Sequence, residues 1–289
     1  MYKSFEVIDF RARPPSREFL GYFRPEHVDF FARRQVVGAL APSYLEGSIK
    51  GFYEEADAAG IDRMVVINRM VPEIAGSPGC DIPNEHIRDL IAKRPDRLVG
   101  IAGIDVGGGF GDPISCTMHA VRELGMKGIH ISPGRSALDT RPDDRRLFPL
   151  YETCRELGVP VVFMTGPFSG RNLEYTRPVY LQTVATNFPT LDIVAGHACW
   201  PYIDELIGVA YRHVNVFISP DSYLYLPAGR TLVQAAGDML QDQFLFASSY
   251  PVGAMGTAIE RFIALGYSDQ VLEKTLGGNA RRLLGLDRT

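Results

Sequence analysis

Four polar side chains lie just past short apolar segments, where enzymes built from parallel strands hold their reactive groups. Arg11 and Arg13 follow the first segment, His197 follows the sixth and Asp221 follows the seventh. Guanidinium groups pair carboxylates bidentately, and an imidazole with an ordinary pKa of about 6.5 takes up and releases protons near neutral pH. These residue types therefore predict a site that binds a small anion and moves a proton.

A metal-free catalytic mechanism can be written for these residues. His197 is the predicted general base that removes a proton from water, and Asp221 either orients His197 or acts as the base itself. Arg11 or Tyr250 would stabilise the developing oxyanion. The structural alternatives are a hydrogen-bonded histidine without a catalytic role and an arginine network paired with Asp9.

The predicted substrate contacts extend around the same end of the strands. Arg135 follows the fourth apolar segment, and Ser249 follows the eighth. Ser249 makes a weak nucleophile because no base is assigned to it, so it is placed with the binding residues. The predicted substrate-binding set is Arg11, Arg13, His130, Arg135 and Ser249, and the expected ligand is a small anionic substrate.

The elements that must position these side chains alternate along the whole chain. Eight apolar segments predict strands, and the patterns between them predict helices that often end at a glycine such as Gly60, Gly125 or Gly158. Eight such units predict an α/β fold, a (β/α)8 TIM barrel forming a single domain over residues 1–289, with an open doubly wound sheet as the competitor. The predicted strands are 5–10, 62–68, 98–104, 127–132, 160–165, 191–195, 214–219 and 244–248, and the predicted helices are 48–59, 84–93, 113–124, 145–157, 173–188, 202–212, 228–240 and 254–265.

Two irregular stretches interrupt this alternation. The long insertion at 11–47 separates the first strand from its helix and is rich in arginine; we expect a lid, a binding segment, an oligomer contact or a solvated excursion on the catalytic face. The glycines at 107–109 either wrap an anion with their backbone N–H groups or form a flexible loop. The arginines of the insertion are Arg11, Arg13, Arg17, Arg24, Arg33 and Arg34.

Composition excludes several classes of partner. The chain has 289 residues and a net charge of -4, which gives no reason to expect nucleic acid or an anionic membrane as partner. The four cysteines form no CxxC pair and are expected to be reduced thiols. With no signal-peptide core and no apolar window of roughly 18 residues, the expected location is cytoplasmic, and a homo-oligomer is plausible.

Five segments resemble one known family. They are GHACWPYIDELIGVAYRHVNVFIS at 196–219, FLFASSYP at 244–251, LGGNARRLLGL at 276–286, GMKGIHISP at 125–133 and IDFRARP at 8–14. Together they are similar to the amidohydrolase-related family, in its decarboxylase- and lactonase-type branch. The resemblance implies a (β/α)8 barrel independently of the strand pattern.

The same resemblance exposes substitutions at the positions where the family binds a divalent metal. The paired histidines of the first strand correspond to Arg11 and Arg13, and the strand-eight aspartate corresponds to Ser249; of the ligand positions only the strand-six histidine, His197, remains. Arginine has no lone pair for a metal, and zinc needs three or four protein ligands. We therefore expect no metal and no other cofactor, unless Asp9, His130 and His197 rebuild a site.

Three hypotheses of function remain open. The first is a metal-independent hydrolase or lyase acting on a small carboxylated substrate such as a lactone. The second is a metal-dependent decarboxylase or hydrolase with relocated ligands. The third is a non-catalytic barrel that binds an anion or a partner chain.

Overall fold

Seven parallel strands form one curved sheet in the computed structural model, which describes residues 5–35, 40–73 and 79–286. Two further short strands, β3 and β4, pair antiparallel in a hairpin between the second and third strands of that sheet. The sheet order is β1, β2, β5, β6, β7, β8, β9. The bounds are β1 Ile8–Ala12, β2 Arg63–Ile67, β3 Met70–Val71, β4 Cys80–Asp81, β5 Leu98–Ile104, β6 Ile129–Ile131, β7 Val161–Met164, β8 Ile193–Gly196 and β9 Val216–Ser219.

The predicted eighth strand closes the barrel without forming a regular ladder. Phe244 makes a parallel bridge to Ile218 of β9, and the Leu245 N–H donates to the Ile218 carbonyl at 2.9 Å. On its other side the Phe10 N–H of β1 donates to the Phe246 carbonyl at 2.9 Å. The segment thus joins the two edges of the sheet, and the fold is the predicted TIM barrel.

Alternation along the strands fills the barrel interior. Side chains two positions apart share a face of a strand, so Phe10, Val65, Ile101 and Val162 form one buried cluster with other inward side chains. Leu283 of the C-terminal helix joins that cluster. The alternate outward residues pack against the helices in a second, larger cluster. The interior is therefore a packed core, and ligand space lies at the ends of the strands.

Helices surround the sheet close to the predicted positions. The predicted helix 173–188 is divided into a 3-10 turn and an α-helix that begins at Pro178, because proline lacks an N–H and restricts the residue before it. The α-helices are Arg17–Tyr22, Pro25–Gln35, Pro42–Leu45, Ile49–Ala59, Asn84–Lys93, Pro113–Arg122, Phe148–Leu157, Pro178–Asn187, Ile203–Arg212, Gly229–Gly237, Met255–Ile263, Asp269–Glu273 and Asn279–Leu283. The 3-10 turns are Pro133–Arg135, Arg145–Leu147, Leu173–Thr176 and Asp221–Tyr225, and a π-helix spans Lys274–Gly278.

The described part of the long insertion lies over the end of the barrel where the strands finish. Helix Pro25–Gln35 packs against the turn Asp221–Tyr225 that follows β9. Its Phe31 ring also contacts Phe168, which follows β7, with ring centroids 5.4 Å apart. The insertion therefore covers part of the mouth, as a lid or binding segment would; residues 36–39 lie outside the described residues.

The glycine-rich loop binds its own carboxylate. Asp105 accepts hydrogen bonds from the N–H groups of Gly107 at 3.0 Å and Gly109 at 2.7 Å. Because those donors are already used, the interpretation of this loop as an anion cradle is not supported. In the described ranges, no helix combines the length and the apolar character that crossing a membrane requires.

Candidate active site

A bulge in β1 aims Arg11 into the mouth of the barrel. Asp9 pairs with Met64 of β2, but the next paired residue is Ala12, opposite Val66, so β1 carries one extra residue. Arg11 is only 1% exposed. A Cβ at Gly196, which ends β8, would lie 2.7 Å from Arg11 Nη2. Glycine at that position therefore makes room for the guanidinium group.

Arg11, Asp221 and His197 form a buried charged group. Arg11 Nε lies 2.8 Å from Asp221 Oδ2, as an ion pair without hydrogen-bond geometry. The same oxygen contacts His197 Nδ1. Ser219 Oγ donates to Asp221 Oδ1 at 2.9 Å. The ends of β1, β8 and β9 thus meet at one carboxylate, which links a fixed cation to an imidazole.

The protonation states follow from burial and from these neighbours. Burial lowers the pKa of His197, although Asp221 opposes that shift. Burial acts to raise the pKa of Asp221, but Arg11 and His197 lower it below its ordinary value. At neutral pH the pair is therefore an ionised carboxylate and a neutral imidazole. Nδ1–H then faces Asp221, and the Nε2 lone pair is left to accept a proton.

Two further arginines, Arg13 and Arg135, belong to the site. Burial, and then the charges of Arg11 and Arg69, lower the pKa of Arg13 to about 9. Burial and the neighbouring Arg69 lower the pKa of Arg135 to about 10. The pKa of buried His130 is held well below its usual value by burial and by Arg11, so its ring is neutral. The guanidinium groups of Arg13 and Arg135 nevertheless remain charged at neutral pH.

Several donors in this group have no hydrogen-bond partner in the described structure. They include both terminal nitrogens of Arg11, Nε of Arg13, and Nε and Nη2 of Arg69. Nε2 of His130, which is 1% exposed, is also unpartnered. Buried polar groups are normally satisfied, and an unsatisfied one costs about 1–3 kcal/mol. Converging unpartnered cations are the surroundings that a carboxylate or another small anion requires.

The metal that the family resemblance implies does not fit these residues. Within residues 5–35, 40–73 and 79–286, no three His, Cys, Asp or Glu side chains form a group that could hold a metal ion. Asp9 is committed to hydrogen bonds from Ser248 N at 2.8 Å and Ser248 Oγ at 2.5 Å. Burial raises the pKa of Asp9 to about 6. The alternative site from Asp9, His130 and His197 therefore finds no support in the donor set.

Two residues assigned from the sequence have other contacts. The hydroxyl group of Tyr250 hydrogen-bonds Ser43 Oγ at 2.8 Å, and its ring packs on Phe52 in the layer between sheet and helices. The oxyanion role of Tyr250 therefore has no support in these contacts. Ser249 lies at the end of the eighth strand, but its Oγ accepts from Ser222 N at 3.0 Å, so it holds a turn.

Arg69 and its neighbour Tyr22 also belong to this group, although the sequence pattern did not indicate them. Arg69 follows β2, and its Nη1 donates to the Tyr22 hydroxyl oxygen at 3.2 Å. The available signal was its position: it directly follows the predicted strand 62–68 and thus lies at the same end of the barrel as Arg11.

The cations and the histidine–aspartate pair lie at the carboxyl ends of the parallel strands. TIM-barrel enzymes have their active sites at this face. A family model described as amidohydrolase matches residues 53–286. The chain belongs to the amidohydrolase family.

Individual solved structures are similar to this chain in fold. An uncharacterized TIM-barrel protein from Bordetella bronchiseptica has 34% sequence identity and a TM-score of 0.87, over 97% of this chain and 98% of that chain. Two less similar structures match in fold, each at 16% identity. One is 2,6-dihydroxybenzoate decarboxylase from Rhizobium, with a TM-score of 0.72 over 98% of this chain and 100% of that chain. The other is 5-carboxyvanillate decarboxylase from Sphingomonas paucimobilis, with a TM-score of 0.69 over the same shares.

A curated relative matches over a shorter stretch. The 2-amino-3-carboxymuconate-6-semialdehyde decarboxylase of Dictyostelium discoideum is 31% identical over 85 residues, which are 27% of this chain and 21% of the relative. The match thus spans about a fifth of that protein's length.

Proposed function

We propose that this chain is a metal-independent enzyme of the amidohydrolase family that hydrolyses a small carboxylated substrate such as a lactone. The observation that supports it most strongly is the unpartnered guanidinium end of Arg11, buried beside a neutral His197 that Asp221 orients. Arg11 and Arg13 would bind the substrate's carboxylate where relatives of the family bind a metal.

In the proposed reaction His197 Nε2 takes a proton from a water molecule. The resulting hydroxide adds to the lactone carbonyl, and Arg11 stabilises the oxyanion that forms. The ring C–O bond then breaks, and the proton on His197 passes to the leaving alkoxide. The ionised Asp221 stabilises the imidazolium between these two transfers. Water, substrate and protons balance without a metal or another cofactor.

Decarboxylation is the second candidate, because three of the four named relatives are decarboxylases. That reaction breaks a C–C bond and leaves an electron pair on carbon, so the site must deliver a proton to that carbon. A histidine whose pKa is lowered rests in the neutral form, which can accept a proton at Nε2 but carries none there to donate. The resting state of His197 therefore favours hydrolysis over decarboxylation.

The test is turnover by chelator-treated protein on a panel of carboxylated lactones and carboxylated phenols, with ring opening and carbon dioxide measured separately. We expect ring opening without added metal. His197→Gln should lower turnover by roughly 10²- to 10⁴-fold. The matched control His213→Gln changes a histidine that follows helix Ile203–Arg212 and precedes β9, at the opposite end of the barrel, and should leave turnover unchanged.

Other outcomes would change the assignment. Turnover that appears only with added manganese or zinc would refute metal independence. Release of carbon dioxide without ring opening would establish the carboxy-lyase reaction. Anion binding with no turnover of either substrate class would support the non-catalytic hypothesis.

A further inference from the structure

The cation-rich site has more unpartnered donors than Arg11 alone supplies. Arg11 lies beside Asp221, and the charge of Arg69 acts on both Arg13 and Arg135. Buried nitrogen atoms of Arg11, Arg13 and Arg69 have no hydrogen-bond partner among the described residues. Leaving buried charged donors unpaired is costly unless a ligand pairs with them.

Arg69 is held at a built position rather than on a free surface loop. Asn68 donates from Nδ2 to the Ile82 carbonyl and to Asn84 Oδ1, each at 2.8 Å. Asn84 in turn accepts from the Gly103 N–H at 2.9 Å. A Cβ at Gly103 would lie 2.9 Å from the backbone carbon of Arg69, so this glycine lets the Arg69 backbone approach β5 closely.

The surroundings of Arg69 define a second location for an anion. Tyr22 holds only Nη1, and the buried Nε and Nη2 atoms have no hydrogen-bond partner among the described residues. The charge of Arg69 is close enough to lower the pKa values of both Arg13 and Arg135.

We infer that Arg69, with Arg135 and Tyr22, forms a second anion subsite, and that the substrate is therefore a dicarboxylate with one carboxylate at Arg11 and the other at Arg69. The inference rests on the proposed function for the first carboxylate. Arg11 and Arg69 both act on the pKa values of Arg13 and His130, so the two subsites are close enough for one small molecule to carry both carboxylates.

Calorimetric titration with benzoate and with the three benzene dicarboxylates tests this. Wild type should bind at least one dicarboxylate about tenfold or more tightly than benzoate. Arg69→Met should lower dicarboxylate affinity by about 10- to 150-fold and change benzoate affinity much less, because one charge-assisted pair is lost. Arg11→Met should lower the affinity for both. The control Arg97→Met removes a guanidinium that binds Asp57 and backbone carbonyls below β5, and should change neither affinity.

A milder variant keeps the test decisive if Arg69→Met does not fold. Tyr22→Phe removes one hydrogen bond to Arg69 and should weaken dicarboxylate binding alone, by about 2- to 12-fold. Equal affinity of wild type for benzoate and every dicarboxylate would overturn the second subsite and leave the proposed function standing. Selective dicarboxylate binding that needs Arg69, without turnover of any carboxylated lactone or phenol, would support the subsite and refute the proposed function. Wild type that binds no carboxylate would overturn both.

Discussion

Replacement of Arg11 by methionine tests directly whether this buried guanidinium group supplies the positive charge that binds an anion. Methionine keeps most of the bulk and removes the charge and the fork of donors. Because Arg11 is 1% exposed and both terminal nitrogens are unpartnered, an anion bound there gains a charge-assisted bond in a site that excludes water. Such a bond contributes about 1.5–3 kcal/mol, so carboxylate affinity should fall by roughly 10- to 150-fold.

Two opposing contributions determine how Arg11→Met changes the free energy of unfolding. Breaking a buried ion pair costs about 3–5 kcal/mol when one partner is left alone. Here Asp221 keeps His197 as a partner, and removal of Arg11 relieves repulsion that lowers the pKa values of Arg13 and His130. The free energy of unfolding should therefore fall by less than about 3 kcal/mol, and the variant should remain folded.

Calorimetry with benzoate and denaturant unfolding measure the two quantities. The matched control is Arg63→Met: Arg63 Nε lies 3.0 Å from Glu6 Oε1 at the opposite end of the barrel. It should lower stability and leave anion affinity unchanged. Since the site is buried, raising the salt concentration should change wild-type affinity little. An Arg11→Met protein that is folded and binds carboxylates as tightly as wild type would refute the substituted-cation reasoning.

Three further predictions concern individual groups of the site. Because the pKa of His197 is lowered by burial and by Arg11, kcat/KM of wild type should stay constant from pH 8 down to about 6.5 and fall only below that pH. In Arg11→Met the fall should begin at a higher pH. Coinciding pH profiles of the two proteins would contradict this prediction. Burial raises the pKa of Asp9 from 3.8 to about 6, so its contribution to stability is present below the lower value and lost as pH rises through the higher one. Asp9→Asn should therefore gain stability relative to wild type between pH 4 and 7, by up to about 3 kcal/mol in unfolding titrations, whereas parallel pH curves would show that Asp9 is not shifted. Tyr250→Phe removes the hydrogen bond to Ser43 and should cost about 0.5–1.5 kcal/mol of stability without changing turnover; a large loss of turnover in a folded variant would restore its predicted oxyanion role.

The architecture could be predicted from the sequence because it depends on repeated local patterns. These patterns are apolar runs, glycine helix stops and their even spacing. They predicted the bounds of β5, Leu98–Ile104, correctly, and the predicted bounds of the other strands of the large sheet differ from the observed ones by only a few residues. The eighth strand was less regular than its apolar pattern suggested. It closes the barrel through hydrogen bonds to β1 and β9, and such long-range pairings leave little trace in a local pattern.

The site could be predicted only in part, because side-chain direction at strand ends depends on local backbone geometry. Arg11 reaches the mouth through a bulge that no residue pattern announces. Tyr250 follows Ser249, which has a positive φ of +66°, and the tyrosine ring packs on Phe52 in the helix layer. Arg69 lay at the right end of β2, but its importance comes from Tyr22 and Arg135, which are distant in sequence.

The backbone at three strand ends explains how these charges are kept in place. His197, Asp221 and Ser249 have φ values of +70°, +55° and +66°, a region that non-glycine residues adopt at a cost of about 1–3 kcal/mol each. Their bonds run from one strand end to the next. The His197 N–H donates to the Ser219 carbonyl at 2.7 Å, and the Ser222 N–H donates to Ser249 Oγ at 3.0 Å. Relaxing the turn at His197 or at Asp221 would move one partner of the His197–Asp221 contact. The strained turns therefore hold the buried charges in place, and we expect an anion that pairs with the arginines to stabilise the folded protein.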